Sequence, residues 1–317
     1  MPDPLVVGTI RWCFNRVASL DELRDLVIRH ARPDATTAID DVLVSRVEES
    51  TPPSSSMSGT VLAVIAQGAK RLALGDRVYE YRAGQYLIAS VDLPVTGHFT
   101  EATPERPALG FGMILRPAAV AELLLQAAPG DLPPVGGGTP SSMAVSDAPD
   151  ELLDAVVRLL RLLDHPRDAT VLAPLVKREI LWRLLTGEQG AVVRQLGLAD
   201  SSLSHVARAV QWIRDHYTQS FRVEDVARRS GMSVSAFYRN FQAVTAMSPI
   251  QFQKQIRLQE ARLLLATNPS DVTGVSRRVG YESPSQFSRE YRRQFGAPPS
   301  QDTARLRAPA AAAPAAL

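Results

Sequence analysis

The sequence has very little cysteine: Cys13 is the only one among 317 residues. A single thiol excludes an internal disulfide and any zinc site built from several thiolates, and it is typical of proteins of the reducing cytoplasm. Long apolar runs are missing as well, and the N-terminus lacks the basic start and apolar core of a secretion signal. We therefore expect a soluble, cytoplasmic protein without a membrane span.

Histidine is also scarce where a metal enzyme would need it. A catalytic metal requires several histidines and a carboxylate that converge on the ion, and the strand-rich segment between Thr60 and Leu115 contains only His98. No nucleophile paired with a base is visible in that segment either. We expect no metal, no cofactor and no catalytic residues, so the protein is predicted not to be an enzyme.

Charge is distributed unevenly along the chain. Residues 201–317 carry 16 Lys/Arg against 8 Asp/Glu, whereas residues 1–200 carry 19 against 25. A basic C-terminal part beside an acidic N-terminal part favours a polyanionic partner for the former, although a solvated charged surface gives the same composition. The length also allows two domains.

The N-terminal part shows a strand pattern over residues 40–116. Short apolar runs such as VLAVIAQ and YLIAS are separated by turn residues, namely Gly68, Gly75, Gly84, Pro94 and Gly97. This spacing predicts an antiparallel sandwich or a small β-barrel. Ser19 and Glu22 have capping-box spacing before it, so we expect order to begin at Ser19 with a short helix; another helix is predicted over 117–127.

Residues 129–147 are rich in Pro, Gly and Ser, and we expect them to form an irregular connector. Leucines and valines at three-and-four spacing then predict an amphipathic helix over 152–163 and a second helix over 171–186, ended by Gly187. Such a pair closes a domain or forms a dimer interface, and the sequence does not separate these alternatives. The tail 307–317 is of low complexity and is predicted to be disordered.

The C-terminal part contains one phrase twice. Residues 230–249 read SGMSVSAFYRNFQAVTAMSP, and residues 279–299 read VGYESPSQFSREYRRQFGAPP. Each copy predicts a short helix, a turn at a glycine (Gly231 or Gly280) and a second helix capped by a serine. Internal repetition of this kind indicates a duplicated structural unit.

Each repeat matches a helix-turn-helix. Aromatic residues at i and i+4, Phe237/Phe241 and Phe287/Tyr291, place one stripe of the second helix inward. The remaining positions then face outward, as the second helix of a helix-turn-helix does in a major groove. Two helical hairpins with solubilising arginines remain the alternative, but two copies in the basic part of the chain favour DNA binding.

The segment RLQEARLLLATNPSDVTGVSRRVGYESPSQFSREYRRQFGAPPS resembles the DNA-binding module of the AraC/XylS family of bacterial transcriptional regulators. The N-terminal part, notably QGAKRLALGDRVYEYRAGQYLIASVDLPVTG, is similar to the N-terminal module of one branch of that family. The resemblance implies an α+β multidomain protein. It has a cupin-like antiparallel β-barrel with a helical hairpin at 19–190, and an all-α domain with two helix-turn-helix units at 204–306.

The resemblance also implies the DNA-reading residues. In the first recognition helix we expect Ser235, Tyr238 and Arg239 to face bases; in the second, the corresponding residues are Ser285, Gln286, Ser288 and Arg289. Helix N-termini and arginines such as Arg292 are expected to hold phosphates. The predicted DNA-binding set is Ser233, Ser235, Tyr238, Arg239, Gln242, Ser283, Ser285, Gln286, Ser288, Arg289 and Arg292.

Two features of the C-terminal part depart from the family pattern. Ala246 stands where the family usually has glycine, which predicts a strained or reshaped turn, and Gly274 with Ser276 weakens the helix before the second recognition helix. Gln286 is predicted to complete a capping box with Ser283. Arg257, in the helix that links the two units, is predicted to be an internal ion-pair partner rather than a DNA contact.

Aromatic residues of the barrel, Tyr79, Tyr81, Tyr86 and Phe99, alternate with small apolar residues and could line an effector cavity, although core packing explains them equally. The expected partners are promoter DNA and RNA polymerase, with a small-molecule effector and a homodimer as further candidates. An enzyme with an attached DNA module and a non-specific architectural binder are the competing hypotheses. Activation or repression, the effector and the operator stay open.

Overall fold

The computed structural model describes residues 20–302 except 51, 129, 133–140, 199–200 and 268–270. The predicted cap at Ser19, Cys13 and the predicted disordered tail lie outside these residues. The N-terminal part begins with helix α1 at residues 20–30 and continues with antiparallel strands. The strands are β1 (Val42–Val47), β2 (Ser54–Met57), β3 (Val61–Gln67), β4 (Ala69–Leu74), β5 (Arg77–Arg82), β6 (Gln85–Ala89), β7 (Pro94–Phe99), β8 (Ala108–Ile114) and β9 (Met143–Asp147).

The strands form two antiparallel sheets. Sheet A has the order β1-β8-β3-β6-β9, and sheet B has the order β2-β7-β4-β5. Strand β3 explains why VLAVIAQ is continuously apolar: Val61, Ala63 and Ile65 pack between the sheets, and Leu62 and Val64 pack against a layer of helices. Sheet A is therefore buried on both faces, which removes the hydrophobic–polar alternation of a half-exposed sheet.

Two predictions about the strands were wrong. Pro94 and Gly97 were expected in a turn, but both lie in β7. Proline is tolerated because it is the first residue of the strand, and Gly97 leaves room for the end of the Leu72 side chain, which would have to move if a Cβ were added. The connector at 129–147 was expected to be irregular, but Met143–Asp147 forms β9 by pairing with β6. Its partner lies more than fifty residues earlier, where local composition gives no signal.

Helices cover the outer face of sheet A and form the whole C-terminal part. Those of the N-terminal part are α2 (Pro117–Gln126), α3 (Asp150–Arg161), a 3₁₀ turn (Leu162–Asp164), α4 (Pro166–Thr186) and α5 (Gly190–Gly197). Those of the C-terminal part are α6 (Ser202–Asp215), α7 (Val223–Arg229), α8 (Val234–Thr245), α9 (Pro249–Thr267), α10 (Val272–Arg278) and α11 (Pro284–Phe295), with a last helical turn from residue 299. The predicted helices at 117–127, 152–163 and 171–186 correspond to α2, α3 and α4. Helix α5 had not been predicted.

Candidate DNA-binding interface

The two repeats fold into two like helix-turn-helix units, α7–α8 and α10–α11. In the first, the amide of Met232 donates to Ala227 O at 3.0 Å and that of Gly231 to Arg228 O at 3.1 Å. In the second, Tyr281 donates to Ser276 O at 2.9 Å and Gly280 to Arg277 O at 3.0 Å. Both helices thus end in the same Schellman motif, which requires a left-handed residue at the glycine. Gly231 has φ 74° and Gly280 has φ 88°.

The short helix before the second turn does not depend on helix propensity alone. The Asp271 side chain accepts a hydrogen bond from the amide of Gly274 at 2.8 Å and so caps α10. Ser276 is completely buried, and its hydroxyl donates to Thr273 O at 2.8 Å. The cap and this satisfied hydroxyl offset the weakening expected from Gly274 and Ser276.

Serine caps both recognition helices, α8 and α11. Ser233 Oγ accepts from the amide of Ala236, and Ser283 Oγ accepts from the amide of Gln286, each at 3.3 Å. The predicted capping box is incomplete, because the side-chain amide of Gln286 does not bond back to Ser283 but donates from Nε2 to Glu290 Oε1 at 3.2 Å. Glu290 lies one helical turn after Gln286, and Lys254 and Tyr281 hold its carboxylate in place. This carboxylate is a charged acceptor for the Gln286 side chain.

Each recognition helix buries a stripe of aromatic side chains and exposes the side chains on the opposite face. Phe237, Phe241, Phe287 and Tyr291 are fully buried, as their spacing predicts. The predicted DNA-binding residues that are exposed are Ser233, Ser235, Tyr238, Arg239, Gln242, Ser285, Gln286, Arg289 and Arg292, whereas Ser283 and Ser288 are half-buried. The outward stripe of both helices is therefore accessible to a macromolecular partner.

Three arginines of this exposed stripe have no carboxylate partner within the described part of the chain. Twelve other arginines there form ion pairs with carboxylates, but Arg239, Arg289 and Arg292 do not. An arginine without a carboxylate partner can offer its donors to a guanine edge or a phosphate. The chemistry of the stripe is thus that of a nucleic-acid surface.

Arg257 of α9 joins the two units. Its guanidinium donates to Tyr217 O at 2.6 Å and Gln219 O at 3.2 Å, before the first unit, and to Gly280 O at 2.8 Å, at the turn of the second. The prediction that Arg257 is internal agrees with this geometry. The predicted ion pair was wrong, because the partners are backbone carbonyls; burial of the guanidinium lowers the pKa of Arg257.

Two carboxylates attach the second unit to α9. Glu290 accepts from Lys254 Nζ at 2.9 Å and from Tyr281 Oη at 2.8 Å. Burial alone would raise the pKa of Glu290, but hydrogen bonds from Lys254, Tyr281 and Gln286 outweigh it and lower the pKa. Asp302 is 1% exposed and accepts from Arg262 Nε at 2.9 Å and Tyr291 Oη at 2.8 Å.

The N-terminal domain holds the C-terminal end of the first recognition helix. Arg77 donates to Ala243 O at 3.0 Å, and the Ser142 hydroxyl donates to Val244 O. Ala246, the residue that stands in place of the family's glycine, adopts a left-handed conformation with φ 57° and lies against Gly75. The strained turn expected at Ala246 is present, and it coincides with the contact between the domains.

Sequence reasoning missed a basic cavity beside the first unit. Arg222, Arg228 and Arg229 line an open cavity of about 620 Å³ with Trp212, and the Arg229 guanidinium lies 5.8 Å from the Trp212 ring centroid. In the sequence, the arginines around α7 were the signal that could have indicated this cavity. Its lining combines positive charge with an aromatic face, both of which nucleic acids contact.

The four aromatic residues predicted to line an effector cavity do not share one environment. Tyr81 and Phe99 are buried between the sheets, whereas Tyr86 faces the helical layer on the other side of sheet A. Tyr79 is half-buried and its hydroxyl lies 3.2 Å from Ser141 Oγ. In the structure the four side chains therefore belong to at least two separate surfaces.

A buried lysine lies beside two of these aromatic residues. Lys70 pairs in register with Tyr81 and with Phe99, and its Nζ lies 5.1 Å from the Phe99 ring centroid. Burial lowers the pKa of Lys70 to about 8. The Tyr81 hydroxyl is buried without a hydrogen-bond partner in the described residues, and burial raises the pKa of Tyr81. The space between the sheets therefore contains polar groups as well as apolar ones.

A β-sheet domain followed by a helical domain with two helix-turn-helix units defines a class of two-domain DNA-binding regulators. Two family models match this chain: the AraC-type transcriptional regulator N-terminus over residues 38–192 and a helix-turn-helix domain over residues 226–305. The chain belongs to the AraC/XylS family of transcriptional regulators. No helix in the described residues is long and apolar enough to span a membrane.

Curated relatives and one solved structure are similar to the chain. The transcriptional activator RhaS of Klebsiella pneumoniae is 27% identical over 162 residues, and the regulator ExsA of Pseudomonas aeruginosa is 29% identical over 160. Each match covers 50% of this chain and 56% of the relative, so the chain spans about half the length of the curated relatives it matches. A crystal structure of apo ToxT from Vibrio cholerae shares the fold, with TM-score 0.54 at 11% identity over 86% of this chain and 100% of that one.

Proposed function

We propose that the protein is a sequence-specific DNA-binding transcriptional regulator that reads promoter DNA with both helix-turn-helix units. The observation that carries this proposal is the duplicated Schellman turn followed by a serine-capped helix whose outward arginine, Arg239 or Arg289, has no carboxylate partner in the described residues. A recognition helix needs this arrangement: a fixed approach angle, an accessible N-terminal half and donors that are available to bases.

Each group has a distinct role in this proposal. Arg239 and Arg289 donate to guanine O6 and N7, and the neighbouring serines and Gln286 contact base edges or sugars. The amides at the N-termini of α8 and α11, together with Arg292, hold phosphates and set the register. Arg229, at the cavity beside the first unit, contacts the DNA backbone outside the bases that are read, whereas Arg222 and Arg228 there already pair with Glu224 and Asp225.

The N-terminal domain is the regulatory part in this proposal, and the protein is not an enzyme. A small effector enters between the sheets near Tyr81 and Phe99, and the contacts of Arg77 and Ser142 with α8 connect that domain to the first reading unit. Promoter DNA and RNA polymerase are its partners, and it acts in the cytoplasm. Family membership and the interdomain contacts support this assignment.

We also propose a homodimer through the helices of the N-terminal domain, at 147–187. Helix α4 exposes Val171, Leu172 and Leu175 by 67%, 42% and 59%, which supports an apolar contact between two copies. Analytical ultracentrifugation of the full chain and of Leu175→Asp tests this. A dimer that is lost in the variant is expected, and a monomeric wild-type protein would contradict it.

The direct test of DNA reading is selection of bound sequences from a random duplex library by the full chain. Fluorescence anisotropy then compares the recovered site with a shuffled duplex of equal length. We expect the recovered site to bind at least about 1,000-fold more tightly at physiological salt. Its affinity should fall roughly 10³-fold or more from 50 to 200 mM salt because phosphate contacts release counterions. Equal affinity for both duplexes would show a non-specific architectural binder instead.

A further inference from the structure

A groove opens between the two domains, away from the space between the sheets. Its walls come from α2, from the end of α5 with Leu198, from α6 and from the loop after β6. Its volume is about 540 Å³, which lies within the range of roughly 300 to 1,000 Å³ that small-molecule sites occupy. One wall belongs to the N-terminal domain and the other to α6, the first helix of the C-terminal domain, which packs against α7 and α8.

The groove has mostly apolar walls. Ala118 and Ala121 of α2 leave room on one side, and Val91, Leu203 and Val210 supply apolar surface from the loop and α6. A molecule bound here would therefore bury its own apolar surface on both sides, and this burial is the main favourable term in such binding.

One polar atom in the lining lacks a partner. Gln195 Oε1 is buried and accepts no hydrogen bond from any described residue. Leaving a buried acceptor unpaired costs roughly 1 to 3 kcal/mol. A ligand therefore gains affinity when the Gln195 side chain turns this oxygen toward the groove and a donor of the ligand pairs with it. The groove should therefore prefer a ligand that carries a hydrogen-bond donor.

The charged side chains at the groove are already engaged within the protein. Asp92 pairs with Arg214 and accepts from the amide of Gly59 at 2.9 Å. Arg208 donates to His205 Nδ1 at 2.6 Å and to Ser230 O at 3.3 Å. A charged ligand would lose its hydration without gaining an opposite charge, so the lining favours a neutral molecule.

We propose that this groove binds a neutral, mostly apolar small molecule with one hydrogen-bond donor, which bonds to Gln195 and bridges the two domains. The site is distinct from the effector site proposed between the sheets, and it does not depend on DNA reading. Because the ligand contacts both α2 and α6, binding favours the arrangement in which the first unit is docked on the N-terminal domain.

The test uses 2-naphthol as the probe, since it combines an apolar bicycle with one hydroxyl donor, and 2-methoxynaphthalene as the matched probe without that donor. Equilibrium dialysis against the full chain is expected to show saturable binding of 2-naphthol that is at least about 5-fold tighter than that of 2-methoxynaphthalene. In Gln195→Leu this preference should disappear. Equal affinity of both probes for the wild-type protein, or no saturable binding of 2-naphthol, would overturn the proposal.

Substitutions that fill the groove from either wall test whether 2-naphthol binds there. Ala118→Trp on α2 and Ala207→Phe on α6 should each weaken 2-naphthol binding at least about 10-fold. Leu125→Trp is the control, because Leu125 is on α2 but outside the groove and 87% exposed. Circular dichroism checks that each variant is folded. Unchanged binding in the folded groove variants would place the probe elsewhere and contradict the proposal, whatever the DNA affinity of the protein.

Discussion

The two helix-turn-helix units have the same local hydrogen bonds but are stabilised by different means. The first unit belongs to a large apolar cluster that continues into the sheets and contains Phe237 and Phe241 as well as Leu93 and Val95 of the N-terminal domain. The second unit has a small cluster of its own and depends on polar contacts with α9. A duplicated sequence therefore fixes the shape of a unit without fixing what stabilises it.

The largest effect is expected where the second unit depends on a buried carboxylate. Asp302→Ala removes the partner of Arg262 and of the Tyr291 hydroxyl, and breaking a buried pair costs roughly 3 to 5 kcal/mol. Amide hydrogen exchange should show α11 losing protection while α8 keeps it. Asp225→Ala is the control in the first unit, because the Asp225 side chain is half-exposed and pairs with the exposed Arg228. Equal loss in both helices would contradict independent stabilisation.

The second-largest effect is expected on the discrimination between base pairs. Arg239→Ala and Arg289→Ala should each reduce discrimination by roughly 1 to 3 kcal/mol at one base pair of the selected site, and the two base pairs should differ. Anisotropy with singly substituted duplexes measures this. Arg106→Ala removes one positive charge from an exposed loop of the N-terminal domain and serves as the control. If both recognition-helix variants relax the same base pair, the placement of the two helices is wrong.

A smaller effect is expected from exchanging the residues that end the recognition helices. Ala246, with φ 57°, should accept glycine with a gain of about 1 kcal/mol, because a left-handed conformation strains a residue with a Cβ. Gly296, with φ 77° and open space around it, should lose about the same amount on substitution by alanine. Urea denaturation measures both changes. A loss in Ala246→Gly would mean that the methyl contact with Gly75 outweighs the strain.

The smallest effect depends on pH. Because the folded state lowers the pKa of Glu290, this group stabilises the protein above its unfolded pKa of 4.5, and the stabilisation is lost as pH falls through the lower folded value. Glu290→Gln should therefore be less stable than the wild type at pH 7, and the difference should shrink below pH 4.5. Urea midpoints at both pH values test this, with Glu282→Gln as an exposed control. A constant difference would exclude the linkage.

Much of the C-terminal domain could be predicted from the sequence because its signals are local. Glycines, capping serines and aromatic spacing fix the turns and the buried stripe within about twenty residues, so Gly231, Ser283 and Phe287 lie as expected. Strand β9 could not be predicted, because its partner β6 is remote in sequence. The sequence also did not reveal that Tyr81 of sheet B packs between the sheets while Tyr86 of sheet A faces the helical layer, since this depends on how the sheets are covered.

The interdomain contacts had only one sequence signal. Ala246 departs from the family pattern, and the structure relates this departure to Gly75, which leaves room for the alanine methyl. The partners of Arg257 could not be predicted, since backbone carbonyls carry no residue signature. Most of the residues predicted to bind DNA are exposed, and their contact with DNA stays a prediction.

The Arg257 contacts also constrain the operator. One guanidinium bonds to carbonyls on both sides of the gap between the two units, so rotation of one unit relative to the other breaks these bonds. In the proposed complex with DNA, this favours one spacing of the two half-sites. Each inserted base pair turns the duplex by about 34° and lengthens it by roughly 3.4 Å. A promoter with one extra base pair between its two half-sites should therefore engage only one unit at a time. Spacing, rather than base identity alone, would then define the targets of this protein.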